Sequence, residues 1–175
     1  MCIRDRIQGI RRANVAILTR ADSIDEPQKQ KLRQHYQSRA KHLTWLESTC
    51  KPTRLVAASG DSLPVSALTE QKVVAFCAIG NPAGFRSTLR SVHCEPAAWI
   101  EFPDHHEFTS KDLASIQQAM TSHNGTMLVC TGKDLAKLPN GIGNDQQLFA
   151  LEIENEIQPV EELERYLHRI VAGAA

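Results

Sequence analysis

Val73-Val-Ala-Phe-Cys-Ala-Ile-Gly80-Asn-Pro-Ala-Gly-Phe85 is the stretch on which the fold turns. Its first seven residues are apolar without a break, the pattern of a strand covered on both faces. Gly80 supplies a turn, Asn81 an N-cap and Pro82 a first helical residue. The strand therefore passes directly into a helix, with Phe85, Leu89 and Val92 on its inward face. The alternation continues downstream. Residues 98–102 read as the next strand, and Thr109-Ser-Lys-Asp112 as a capping box opening a helix with Leu113, Ile116 and Met120 inward. Asn124-Gly125 ends that helix, residues 127–130 form a strand, and a helical turn comes next at 133–138. Residues 148–153 give another strand. Pro159 starts a last helix with Val160, Leu163, Leu167 and Ile170 or Val171 predicted inward.

Upstream, residues 14–18 read as a strand and Pro27 opens a helix. Leu32, Tyr36, Ala40 and Leu43 are predicted to share one face of it. Residues 51–64 are rich in turn formers around a short apolar run at 55–58. The expected organisation is a segment at 7–58, a linker at 59–71 and an α/β domain at 72–175. The connections are too long for hairpins and suit crossovers, so the class is α/β with a mostly parallel sheet and helices on both faces.

Composition narrows the function. The 175 residues hold 20 Lys plus Arg and 20 Asp plus Glu, a net charge of zero, which argues against bulk nucleic-acid binding. The longest charge-free apolar-rich run, 73–85, is far short of the roughly 20 residues of a membrane span. The charge is unevenly placed: residues 1–60 hold 12 basic and 5 acidic residues, residues 61–175 hold 8 and 15. The basic third reads either as a surface for a phosphate-bearing ligand or as a solvated face. The five cysteines include no C-x-x-C pair, and Cys77 and Cys130 fall inside apolar strands. This pattern suits a reducing compartment and neither a disulfide framework nor a zinc site. Residues 1–6 are out of keeping with the stretch from Ile7 to Arg20 and read as a non-native prefix.

Ligands of open parallel sheets gather at the carboxyl ends of strands. Three segments fall there: Gly80-Asn-Pro82, Asp104-His-His106 and Thr131-Gly-Lys-Asp134. A carboxylate beside an imidazole can orient a tautomer or tune a base, and it can equally be a solvated loop. Asp-His-His also occurs in metal-dependent phosphoesterases, but the earlier aspartates that such two-metal chemistry needs are missing, and no ligand spacing links the histidines to other donors. No metal is therefore expected on these residues. Lys133 can reach a phosphate or stand exposed beside a helix cap. No G-x-x-x-x-G-K-[ST] occurs anywhere in the chain.

In order and spacing, Phe76-Cys-Ala-Ile-Gly-Asn-Pro-Ala-Gly-Phe85, Phe102-Pro-Asp-His-His106 and Thr131-Gly-Lys-Asp134 resemble the F-C-G-I-G-x-P-x-x-F, D-H and T-E-K-D motifs of the tetraacyldisaccharide 4′-kinases, the lipid A 4′-kinases. Ile10-Arg-Arg-Ala-Asn-Val-Ala-Ile-Leu-Thr-Arg20 resembles their R-R-A-D-x-x-x-L-T-R stretch. Ala78 stands for a usual glycine and Gly132 for a usual glutamate. The resemblance implies a P-loop-type kinase of lipid A biosynthesis. Such an enzyme moves the γ-phosphoryl of ATP, with Mg²⁺, to the 4′-hydroxyl of a tetraacyldisaccharide 1-phosphate. It implies a cytoplasmic enzyme peripheral to the inner membrane, with the membrane contact, the phosphate loop and an aspartate base in an N-terminal half. On that reading the chain is the C-terminal portion and is inactive alone. His105 would pair with the aspartate base and Asp104 would be its neighbour. The roles of Gly80, Asn81, Thr131, Lys133 and Asp134 stay open. The alternatives are a non-catalytic sugar- or nucleotide-binding α/β module and a metal-dependent phosphoesterase.

Overall fold

All five residues of Val73–Cys77 are buried, as an apolar run without alternation requires of a strand in mid-sheet. They form the fourth strand of a computed structural model that describes residues 7–138 and 148–173. The expected prefix at 1–6 lies outside the described residues. In chain order the elements are a helical turn α1 (Ile7–Ile10), β1 (Val15–Thr19), α2 (Glu26–Gln37), β2 (Thr44–Ala57), β3 (Ser62–Pro64), β4 (Val73–Cys77), α3 (Pro82–Ser91), β5 (Ala98–Glu101), α4 (Ser110–Ser122), β6 (Met127–Thr131), α5 (Gly132–Leu135), β7 (Leu148–Gln158) and α6 (Val160–Gly173). They fall into two compact units, residues 51–154, and residues 1–50 with 155–175, so β2 and β7 each contribute to both.

In the unit 51–154 the strand order is β2–β7–β6–β4–β5. β4 is parallel to β5 and β6, and β6 is parallel to β7, with Val74 opposite Ala98 and Leu128 opposite Leu148. Side chains alternate across the sheet. Val73, Ala75 and Cys77 face a core with Phe85 and Leu89 of α3, whereas Phe76 and Ala78 face one with Ile116 of α4 and with Phe108 just before that helix. Helices thus cover both faces, as the sequence predicts. The caps are also as predicted. Asn81 accepts the Gly84 N–H at 2.9 Å, and Thr109 and Asp112 form a reciprocal capping box.

The stretch before β4 differs from expectation. Residues 51–57 are the second half of the 14-residue β2, and β3 returns as an antiparallel partner with Leu55 opposite Leu63. This hairpin departs from the all-crossover reading. Leu55 and Leu68 sit in the core, so the stretch 59–71 lies inside this unit and not between two domains. Turn formers such as Pro52 obscure the strand because burial along β2 does not follow a strict period of two.

In the other unit β1 lies parallel to the start of β2, Val15 opposite Thr44. Asp25 caps α2 by accepting the Gln28 N–H at 2.8 Å. The helix stops at Gln37, so Ala40 and Leu43 are buried but not on a helical face. The reason is the sheet: the Thr44 N–H donates to the Asn14 carbonyl at 2.9 Å, which commits the chain to β2 at once. Helix α6 belongs here and corrects a second expectation. Leu163 and Tyr166 are half-buried, but Val160, Leu167, Ile170 and Val171 are exposed, Val171 at 72 %. The side turned toward its unit is offset from the apolar stripe. Among the described residues no helix is long and apolar enough to cross a membrane.

Gly125 follows α4 where the chain turns tightly under the sheet. A Cβ there would lie 2.6 Å from Met120 Sδ and 2.9 Å from Val74 Cγ2. Gly125→Ala is expected to cost about 1–3 kcal/mol by overpacking, read as a lower midpoint in urea unfolding.

Candidate functional site

β4 is flanked by β5 and β6, all three parallel, so their carboxyl ends bring three loops to one edge. These are the Gly80–Asn81 turn, the Asp104–His106 loop and the Thr131–Asp134 turn. All lie in the unit 51–154.

Gly80 and Asp104 meet. A Cβ on Gly80 would sit 3.0 Å from Asp104 Oδ2, so the bare glycine is what admits the carboxylate. Asp104 is half exposed, and its Oδ2 is 3.8 Å from His105 Nε2. His105 has a φ of 62°, left-handed and uncommon for a residue with a side chain, and its imidazole is 88 % exposed. The strained backbone thus presents an imidazole outward beside a carboxylate. Such a pair can accept or hold a proton for a group brought to it.

His106 does something different. Its ring stacks on Phe102, with centroids 5.1 Å apart, and meets Phe108 edge-on. Its Nε2 donates to Asp112 Oδ2 at 3.0 Å. That oxygen also accepts the Thr109 N–H at 2.8 Å and the Thr109 hydroxyl at 2.6 Å. His106 therefore ties the Asp104–His105 loop to the first turn of α4. The capping box is legible in sequence. Its extension to a histidine six residues earlier is not, because it depends on where Phe102 and Phe108 pack.

Asp134 is fully buried. One carboxylate oxygen accepts the Ala78 N–H at 3.2 Å, and the other accepts the Thr131 hydroxyl at 2.6 Å. The Thr131 hydroxyl in turn caps α5 by accepting the Asp134 N–H at 3.3 Å. The pair closes its own turn and reaches across to the end of β4, two residues before Gly80. Asp134 and Thr131 are thus part of the framework under the site. Lys133 is exposed on the same turn, away from this bonded pair. Burial, with the Asp134 and Glu101 charges adding to it, pushes the Cys77 thiol up to about 12; burial likewise raises Cys130 well above its ordinary range. Among the described residues no group of three or more His, Cys, Asp or Glu side chains is placed to hold a metal.

The sequence profile of the tetraacyldisaccharide-1-P 4'-kinase family matches residues 2–172. The chain belongs to that family. Among relatives, a tetraacyldisaccharide 4'-kinase of Rhodopseudomonas palustris (strain BisB5) is 37 % identical over 108 residues, which are 61 % of this chain and 32 % of the relative. One from Nitrobacter hamburgensis is 43 % identical over 89 residues, 51 % of this chain and 25 % of the relative. The crystal structure of LpxK from Aquifex aeolicus in complex with ATP superposes with a TM-score of 0.61 at 22 % identity, covering 95 % of this chain and 45 % of that one. That likeness shows the same mostly parallel α/β fold. The matched stretches make up a third or less of the length of these two relatives, and the chain covers less than half of the Aquifex aeolicus structure.

Three substitutions check the framework. Hydrogen bonds from the Thr109 hydroxyl and N–H, then from His106, hold the Asp112 carboxyl down at about 2. A depressed folded value means that its stabilisation is complete above the unfolded value near 3.8 and is lost as pH falls toward about 2. Asp112→Asn is expected to flatten the acid-unfolding curve across that window relative to the parent. Asp134→Ala orphans the buried Ala78 N–H and is expected to cost about 1–3 kcal/mol in urea unfolding. Gly132→Glu is expected to change stability by less than about 0.5 kcal/mol, because a Cβ at Gly132 meets nothing within 4 Å.

Proposed function

We propose that this chain provides the C-terminal part of a lipid A disaccharide 4′-kinase. The reaction transfers the γ-phosphoryl of ATP to the 4′-hydroxyl of tetraacyldisaccharide 1-phosphate. The observation that carries this reading is the Asp104–His105 pair, set at the carboxyl edge of a parallel sheet and presented outward on a left-handed backbone. It is supported by the family membership and by the name its relatives bear.

Phosphoryl transfer needs positioning and charge stabilisation more than covalent chemistry from the protein. His105 is suited to one task within it. Its exposed imidazole can bond a carboxylate or the acceptor hydroxyl approaching the edge, and can hold or pass the proton that this hydroxyl gives up. Asp104 Oδ2 lies 3.8 Å from His105 Nε2, close enough to orient the ring. Gly80 makes room for that carboxylate, and the His106–Asp112 pair fixes the loop.

The sequence has no Gly-rich triphosphate cradle, and among the described residues no three or more His, Cys, Asp or Glu side chains are grouped to hold a metal ion. In this reading the nucleotide and its magnesium are gripped by parts of the family enzyme outside these 175 residues. The chain alone is therefore inactive, and it works in the cytoplasm at the face of the inner membrane, where those parts make the membrane contact.

In a complete kinase carrying this portion, His105→Ala is expected to lower kcat by about a hundredfold or more while leaving ATP affinity unchanged. Steady-state kinetics with ATP and a tetraacyldisaccharide 1-phosphate acceptor measure it. An unchanged kcat would remove His105 from the mechanism. The isolated chain, given the same two substrates, is expected to form no product.

A further inference from the structure

The unit formed by residues 1–50 and 155–175 holds an open cleft at the end of β1 and β2 opposite to their carboxyl ends. Thr44, the first residue of β2, and Glu162, Arg165 and Arg169 of α6 line a cavity of about 500 Å³. Thr44 and Arg169 also line an adjoining lobe of about 300 Å³, where His42, Tyr166 and Ile170 stand. None of these residues belongs to the Gly80–Asp104 site.

The chemistry of the first lobe is that of an anion receptor. Arg165 and Arg169 lie one turn apart, so both guanidinium groups occupy the same flank of α6. Among the described residues neither is in an ion pair. Arg165 Nε donates to the Glu161 carbonyl at 3.3 Å, and the Arg169 guanidinium lies 5.9 Å from the Tyr166 ring centroid. Both retain N–H donors for a ligand. The Thr44 hydroxyl adds a donor. Glu162 is the one carboxylate in the lining, against two fixed cations. The second lobe has another character: Tyr166 and Ile170 offer a flat ring and an apolar side chain, while His42 Nε2 is taken up by the Ala13 carbonyl at 3.0 Å.

We propose that this cleft binds a phosphate monoester or diphosphate. The phosphate lies between Arg165, Arg169 and Thr44, and the organic body it is attached to lies against Tyr166 and Ile170. Arginine forks match phosphate oxygens in geometry as well as charge. The two lobes share Arg169, so one ligand can occupy both. The proposal does not depend on the kinase reading, since it concerns different residues and needs no turnover.

The test is titration of the isotopically labelled chain, followed by amide shifts, with inorganic phosphate, with ADP and with dihexanoyl phosphatidate below its micelle concentration. Saturable shifts at Thr44, Arg165 and Arg169 are expected. The better organic phosphate should bind at least about tenfold more tightly than inorganic phosphate, because it also fills the second lobe. Tighter binding of ADP would mark a nucleotide site, and tighter binding of the phosphatidate a lipid headgroup site. R165Q/R169Q is expected to weaken binding at least about tenfold at an unchanged melting temperature. Should that double variant fail to fold, Glu162→Gln carries the test alone: removing the opposing carboxylate is expected to tighten binding severalfold. Absence of saturable shifts at these residues with all three probes would overturn the proposal. So would R165Q/R169Q binding as the parent does, or Glu162→Gln leaving affinity unchanged.

Discussion

The buried Asp134 carboxylate ties two sheet ends together, and the geometry of the loops at that edge depends on it. A carboxylate without solvent is tolerable only when its oxygens are occupied. Here one takes a backbone N–H from the end of β4 and the other a threonine hydroxyl at the end of β6. The end of β4 is thereby held where Gly80 begins its turn, and Gly80 is the residue against which Asp104 rests. The loop bearing His105 is held independently, through the stacking of His106 on Phe102 and its bond to Asp112. The exposed Asp104–His105 pair is thus supported by two bonded pairs, Thr131–Asp134 and His106–Asp112.

Much of this was readable from residues. The unbroken apolar run of β4, the Asn81-Pro82 cap and the Thr109–Asp112 box each have a local physical cause, and each appears where the pattern puts it. The three segments expected at the carboxyl ends of strands do follow the parallel strands β4, β5 and β6. What was not legible depended on partners distant in sequence. β2 was hidden because its second half is stabilised by β3 and by neighbours such as Glu152, which pairs with Arg54, and not by alternation. Ala40 and Leu43 continued a helical period past Gln37 because nothing local announces that Thr44 must pair beside Asn14. The roles of Asp134 and His106 needed the positions of Ala78 and Phe102.

The last helix shows the limit of period alone. Its heptad-like apolar stripe is real, but a stripe says only that the residues share a side of the helix, not that the side meets a core. Tyr166 and Leu163 are half-buried while Leu167, Ile170 and Val171 are exposed, and the two arginines line a cleft with Thr44 at the start of β2.

The thiols inside the sheet have a consequence for handling the protein. Cys77, Cys94 and Cys130 are buried, and burial is the first cause that suppresses ionisation of each. Since only the thiolate attacks electrophiles or peroxide, these three sulfurs are inert while the fold persists. Alkylating reagents will instead find the half-buried Cys50, whose sulfur lies 3.2 Å from Asn155 Oδ1, at a place where β2 and β7 carry residues of the same unit. Maleimide uptake at Cys77, Cys94 and Cys130 is consequently a ruler of unfolding, marking the moment the interior opens.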